Sequence, residues 1–165
     1  MHEQCVFSIL EEMKLVANIQ LLPTPEQART LRETLERCNA ACNWISNRAW
    51  ETTTFRQFAL QKLTYRAIKE QFGLTAQVVV RSVAKVADAY KLDRKVKREF
   101  RRHAGQPYDD RIFRFCGDTE VSLWTVNGRE RIFYICGDYQ RTLLKSRKGE
   151  VDLLFIRGRW YLSCV

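Results

Sequence analysis

Between Arg94 and Arg102 the chain reads RKVKREFRR, and Arg94, Lys95, Lys97, Arg98, Arg101 and Arg102 are all cations. Such side chains bind anions. Arginine grips a phosphate with a two-pronged fork, and lysine meets it as a point charge. If the segment continues a helix from upstream, Lys91, Lys95, Arg98 and Arg102 share one face at spacings of four, three and four. Arg94, Lys97 and Arg101 then occupy the neighbouring face. Two adjacent basic faces repel each other unless an anion lies against them, and a phosphate backbone is the natural anion. The helix dipole favours cations in a last turn, but it does not account for the whole tract.

Further on, cations alternate with aromatics: Arg111, Phe113, Arg114, Phe115, Trp124, Arg129, Arg131, Phe133 and Tyr134. That mixture suits base stacking with phosphate contact. A β core of aromatics with arginines on its wet face gives the same alternation, so both readings stay open. Arg111, Arg114 and Arg129, with the loop Lys145-Ser146-Arg147-Lys148, complete the candidate contact set.

No residue set reads as an active site. Asp109, Asp110, Asp118 and Asp138 stand in turn and cap contexts, where aspartate is common for local reasons. Metal-dependent nuclease chemistry needs carboxylates converging on one phosphate. Cys38 and Cys42 share a helix face, but zinc needs two further ligands, and His2 and His103 are isolated. The two thiols read as small core residues. There is no glycine-rich phosphate loop and no nucleophile elbow. The expectation is a chain without catalysis of its own, with no metal and no cofactor.

Charge points the same way. The 165 residues carry 28 Lys and Arg against 19 Asp and Glu, a formal net charge of +9. A surplus of that kind favours a polyanionic partner, because each phosphate contact releases condensed counterions. The opening MHEQCVFSIL has no basic start and too short an apolar run for a signal peptide. No apolar run reaches the length of a membrane span, so no membrane partner is expected. The six cysteines are scattered, which suits a reducing cytoplasm better than a disulfide framework. Residues 1–12 differ in character from the rest. They read as a leader expected to lack fixed structure, with Met13-Lys14 as an alternative start.

These side chains need elements to position them. Lys14 to Leu22 reads as a strand stopped by Pro23. Thr24-Pro25-Glu26-Gln27 opens a helix with a capping box. Leu31, Leu35, Cys38, Cys42, Ile45 and Ala49 form its apolar face, and the helix runs to about Trp50. A second helix spans about Leu60 to Phe72, with Gly73 as its cap. A third starts at Thr75, buries Val79, Val83, Val86 and Tyr90, and runs on through Arg102 until Gly105 and Pro107 end it. Arg111–Phe115, Val121–Val126 and Arg129–Cys136 read as strands, with Asn127-Gly128 as a hairpin turn. Asp138 caps a short helix to Ser146. Val151–Ile156 and Trp160–Cys164 make a last hairpin around Arg157-Gly158-Arg159. The order is strand, helices, strands, and so the fold class is α+β, a small β domain interrupted by a helical insert of about three helices.

The segments MKLVANIQLLPTPEQ (Met13–Gln27), CNAACNWISNRAWE (Cys38–Glu51), LTAQVVVRSVAKVADAYK (Leu74–Lys91) and the stretch Val121–Val165 resemble, in order and spacing, the TnpB (OrfB) proteins of insertion sequences. Members of that family are transposon-encoded, RNA-guided DNA endonucleases long described as transposases. The resemblance implies a wedge-type, OB-like antiparallel β-barrel from residues 13–23 and 107–165, with a helical recognition insert over residues 24–106. It also implies guide RNA and target DNA as partners, held by duplex shape and backbone while base pairing reads the sequence. In the family a RuvC-like nuclease domain follows, with three separated carboxylates and a Cys-x-x-Cys zinc element. No part of this chain matches that domain, so no catalytic position carries over. The expected role is nucleic-acid binding by a nuclease-less portion, with a full-length nuclease chain a potential partner in trans. Two alternatives stand beside it. One is a stand-alone DNA-binding repressor of related origin. The other is an inactive fragment of a decayed element, which predicts an exposed apolar patch at Leu153, Phe155, Trp160 and Leu162.

Overall fold

The structure is a computed structural model that describes residues 15–165. The leader 1–12 and the expected strand start at Lys14 lie outside the described residues. The first strand, β1 (Ala17–Leu22), alternates as a half-buried strand should: Ala17, Ile19 and Leu21 are buried, and Asn18 and Leu22 are exposed. Three helices follow, α1 (Pro25–Thr52), α2 (Gln57–Phe72) and α3 (Ala76–Leu92). Then come β2 (Gln106–Tyr108), β3 (Phe113–Cys116), β4 (Glu120–Thr125), β5 (Gly128–Ile135), α4 (Asp138–Leu144), β6 (Val151–Ile156) and β7 (Arg159–Cys164).

The seven strands form one antiparallel sheet in the order β2-β6-β7-β1-β5-β4-β3. The sheet curls into a nearly closed barrel. Its edge strands β2 and β3 are joined by residues 109–112. There the Trp124 N–H donates to Ile112 O at 2.9 Å, and the Tyr108 hydroxyl donates to Trp124 O at 2.9 Å. The fold is α+β, a small antiparallel barrel with a helical insert, as the order of elements predicts.

Inward residues of every long strand fill the barrel: Ile19, Phe113, Val121, Leu123, Ile132, Leu153 and Leu162 are fully buried. The exposed patch that the inactive-fragment alternative predicts on the last hairpin is therefore absent. Leu153 and Leu162 are 0% exposed, Trp160 is 3% exposed and Phe155 is half-buried against it. Their period-two spacing aims them into the barrel, and their neighbours Ile156 and Tyr161 take the outer face.

Helix α1 begins as its sequence dictates. Thr24 Oγ1 accepts from the Gln27 N–H at 3.2 Å, and Gln27 Oε1 accepts from the Thr24 N–H at 3.0 Å. The expected apolar stripes pack the three helices together. Leu31, Leu35, Cys38, Cys42, Ile45 and Ala49 of α1 are buried with Leu60 and Ile68 of α2 and with Val79, Val83, Val86 and Tyr90 of α3. Polar contacts dock the helices on the barrel. Gln106 donates to Ser82 Oγ at 3.2 Å, and Thr34 Oγ1 accepts the Val126 N–H at 3.1 Å at the β4–β5 turn.

Four expectations are corrected. Helix α3 stops at Leu92, not Arg102, because Asp93 turns extended (φ −160°, ψ 124°) and its carboxylate accepts the Lys95 N–H at 2.8 Å. Strand β2 contains Pro107, which reads in sequence as a breaker. On an edge strand its missing N–H costs nothing. The β4–β5 turn spans Val126-Asn127 rather than Asn127-Gly128, and Gly128 opens the return strand at φ +100°. The short helix α4 ends at Leu144, and its cap is Gly137, whose N–H donates to Gln140 Oε1 at 2.6 Å, with Asp138 inside the first turn. The β6–β7 turn does hold a two-residue left-handed pair, Arg157 at φ 50° and Gly158 at φ 77°.

Leu162 pairs with Ile19 and Leu153 at the centre of the barrel wall. Leu162→Ala should cost about 2–5 kcal/mol, read as a lower urea midpoint at unchanged m-value.

Candidate nucleic-acid interface

The basic tract is not a helix. Past Asp93 the chain runs as a strap of irregular backbone from Arg94 to Ala104 and lies along α1. Three polar residues of α1, at spacings of four and three, hold it by its backbone. Ser46 Oγ donates to Arg98 O at 2.5 Å. Asn43 exchanges two bonds with Phe100, accepting its N–H at 2.8 Å and donating to its carbonyl at 3.0 Å. Asn39 Nδ2 lies 3.2 Å from Arg102 O and 2.9 Å from Ala104 O. The Tyr90 hydroxyl accepts the Arg98 N–H at 3.1 Å and sits 2.8 Å from Ser46 Oγ. The strap therefore runs antiparallel to α1.

Lys85 sets the direction of the Asn39 amide. Its Nζ donates to Asn39 Oδ1 at 2.7 Å and lies 5.1 Å from the Phe100 ring. An ammonium only donates, so the amide oxygen faces Lys85 and the amide NH2 faces the strap. Burial pushes the Lys85 ammonium below its usual range. At the far end, Glu36 Oε1 bonds His103 Nε2 at 2.9 Å and forms an ion pair with Arg102 Nε at 3.0 Å. The His103 bond, joined by Arg102, holds the Glu36 carboxyl below its ordinary value against the opposing effect of burial.

Because the backbone carries much of the attachment, several side chains are left outward. Lys95, Lys97 and Arg101 are exposed and have no carboxylate within ion-pair distance among the described residues. The other cations of the tract have local partners. Arg94 lies 5.7 Å over the Phe55 ring, Arg98 Nε donates to Asp93 O at 3.2 Å, and Arg102 meets Glu36. Lys91, on α3, pairs with Asp88 at 2.9 Å.

The β-segment cations divide. Arg129 donates to Ser122 Oγ at 3.0 Å and to Arg111 O at 2.8 Å, and Arg111 donates to Gln77 Oε1 at 3.2 Å. Arg147 lies over Phe113 and Phe115 at 5.4 and 5.2 Å and meets Asp110 at 3.4 Å. These three guanidinium groups close the barrel seam around residues 109–112. Arg114, Lys145 and Lys148 are exposed and free of ion pairs among the described residues.

Among the described residues the candidate carboxylates do not converge. Asp109 meets Gln77 and Arg81, Asp110 meets Arg147, and Asp118 lies 3.9 Å from Arg141. Among the described residues no group of three or more His, Cys, Asp or Glu is placed to hold a metal ion. Cys38 and Cys42 are fully buried, and burial pushes both thiols well above their usual range, so they behave as core residues. No helix of the described residues is long and apolar enough to cross a membrane.

Sequence reasoning missed two features. The Asn39-Asn43-Ser46 stripe was legible as helical spacing beside the apolar face of α1. The outward face of α2, with Phe58, Lys62, Tyr65, Arg66 and Lys69, was legible in the same way. No protein-family model matches the chain, and no curated protein matches it in sequence.

Asn43→Ala removes both bonds to Phe100. Hydrogen exchange of the Phe100 amide should accelerate at least tenfold while α3 core amides stay protected, with a global cost of about 1–2 kcal/mol. The Glu36 shift is downward, so the stability it adds is present above the ordinary carboxylate value and fades as pH falls through the lowered one. Glu36→Gln should flatten the acid limb of the stability curve, measured by thermal melts from pH 7 downward.

Proposed function

We propose that this chain binds nucleic acid through the phosphate backbone, with the strap as principal contact. We further propose that it does so as the non-catalytic, N-terminal part of a TnpB-like transposon-encoded protein. On that reading its partners are a guide RNA and the RNA–DNA duplex it forms with target DNA. One observation carries the binding proposal. Asn39, Asn43, Ser46 and Tyr90 fix the strap by its main chain, leaving Lys95, Lys97 and Arg101 exposed and without counter-charges among the described residues. Such a row is self-repelling and gains from a polyanion. Arg114, Lys145 and Lys148 add exposed cations on the barrel side.

The TnpB-like assignment draws its support from the ordered resemblance of Met13–Gln27, Cys38–Glu51, Leu74–Lys91 and Val121–Val165. A barrel whose first strand is separated from the rest by three helices is the arrangement that resemblance implies.

Replacing Lys95, Lys97 and Arg101 together by Gln tests the binding surface. Affinity for unrelated sequences should fall about equally, and the log–log salt slope should shrink by about two to three. Unchanged affinity and slope would sink the assignment. Crosslinking in cells followed by RNA sequencing tests the partner. Enrichment of one structured RNA encoded beside the chain's own gene supports the guide-binding role. Specific duplex-DNA binding without RNA would shift the reading to a repressor.

A further inference from the structure

Helix α2 turns Leu60, Thr64 and Ile68 inward at steps of four. Its opposite face is thereby fixed, and it carries Phe58, Lys62, Tyr65, Arg66 and Lys69. Phe58 is 86% exposed, more than any other large apolar side chain among the described residues. Phe58, Gln61, Lys62, Tyr65 and Arg66 line a shallow depression. The Lys69 ammonium lies 5.7 Å over the Tyr65 ring. Lys62 and Arg66, one turn apart, repel each other. The helix has one carboxylate, Glu70, and it makes no ion pair among the described residues. Among the described residues Lys62 and Arg66 make no ion pair that would offset this repulsion. The face also continues into the strap: Phe55, just before α2, stacks on Tyr90 at 4.7 Å and carries the Arg94 guanidinium at 5.7 Å.

We propose that this face of α2 holds a single-stranded stretch of nucleic acid, with Phe58 and Tyr65 as stacking platforms for unpaired bases and Lys62, Arg66 and Lys69 on the phosphates. The inference rests on the nucleic-acid reading above and narrows it to unpaired strands at this site. Seven residues of helix separate the two rings by about 10 Å along the axis, so each ring takes its own base. An aromatic face accepts any base, but only one that is free of a duplex stack. A partner protein could cover an exposed phenylalanine. Three cations against one carboxylate favour a polyanion instead.

The test is fluorescence anisotropy with two labelled probes, an unstructured oligouridine and an RNA hairpin, each titrated with salt. Phe58→Ala should weaken oligouridine binding about five- to hundred-fold, leave hairpin binding unchanged and leave the salt slope unchanged. Phe58→Trp should retain the affinity, whereas Phe58→Leu, which keeps apolar contact with the helix, should lose it. Lys62→Gln with Arg66→Gln should reduce the single-strand slope by about 1.4. Silence of Phe58→Ala, or an equal loss on both probes, overturns the proposal. If the strap variant loses binding while Phe58→Ala is silent, the nucleic-acid reading stands and this one falls. A wild-type chain that binds neither probe ends both.

Discussion

Strand β1 has both edges occupied, by β5 on one side and β7 on the other. Its partners follow the helical segment in sequence, so the chain must leave the barrel after Leu22 and return to it at Gln106. Three helices make the outward trip, and the apolar stripes of α1, α2 and α3 bury one another on the way. Only the segment from Asp93 to Gly105 remains for the return. That segment needs its backbone polar groups satisfied, as any segment packed on a helix does. The polar stripe on α1 meets the need, and the strap's course along α1 follows.

The electrostatics follow from the same geometry. Had α3 continued, the six cations of Arg94–Arg102 would have stacked on adjacent helical faces with Glu99 as their only internal counter-charge. Leaving the helix spreads them. Some then meet local groups, as Arg102 meets Glu36 and Arg94 meets Phe55. The buried end of the device is also cationic. Lys85 gives its ammonium to Asn39, an amide that in turn binds carbonyls of the strap. A half-buried ammonium with a neutral acceptor and an aromatic face carries a desolvation cost, and its service here is to orient one amide.

Much of the fold was legible in the sequence, for identifiable reasons. The capping box at Thr24-Gln27 and the four-and-three apolar spacing of α1 are local signals, and local signals survive into the structure. Strand alternation likewise placed Leu153, Trp160 and Leu162 correctly as strand residues. It did not reveal that the barrel would close over them, because closure is a long-range event. The end of α3 was misjudged because cations are good helix formers and the competing bonds come from α1, far away in sequence. Of the candidate cations, Arg111, Arg129 and Arg147 turned out to bind the barrel seam, a role that needs the fold to be seen. Lys95, Lys97 and Arg101 are exposed, on a strap rather than on the expected helix.

A strap attached by its main chain makes few demands on its own side chains. Asn43 grips the amide and carbonyl at position 100, and Ser46 grips a carbonyl at position 98, so neither contact depends on the side chains at 95, 97 and 101. At Lys95, Lys97 and Arg101 the fold exerts almost no selection of its own. Those positions form an interchangeable cassette. Its charge and shape are able to drift with whatever lies against it, while the scaffold beneath stays the same.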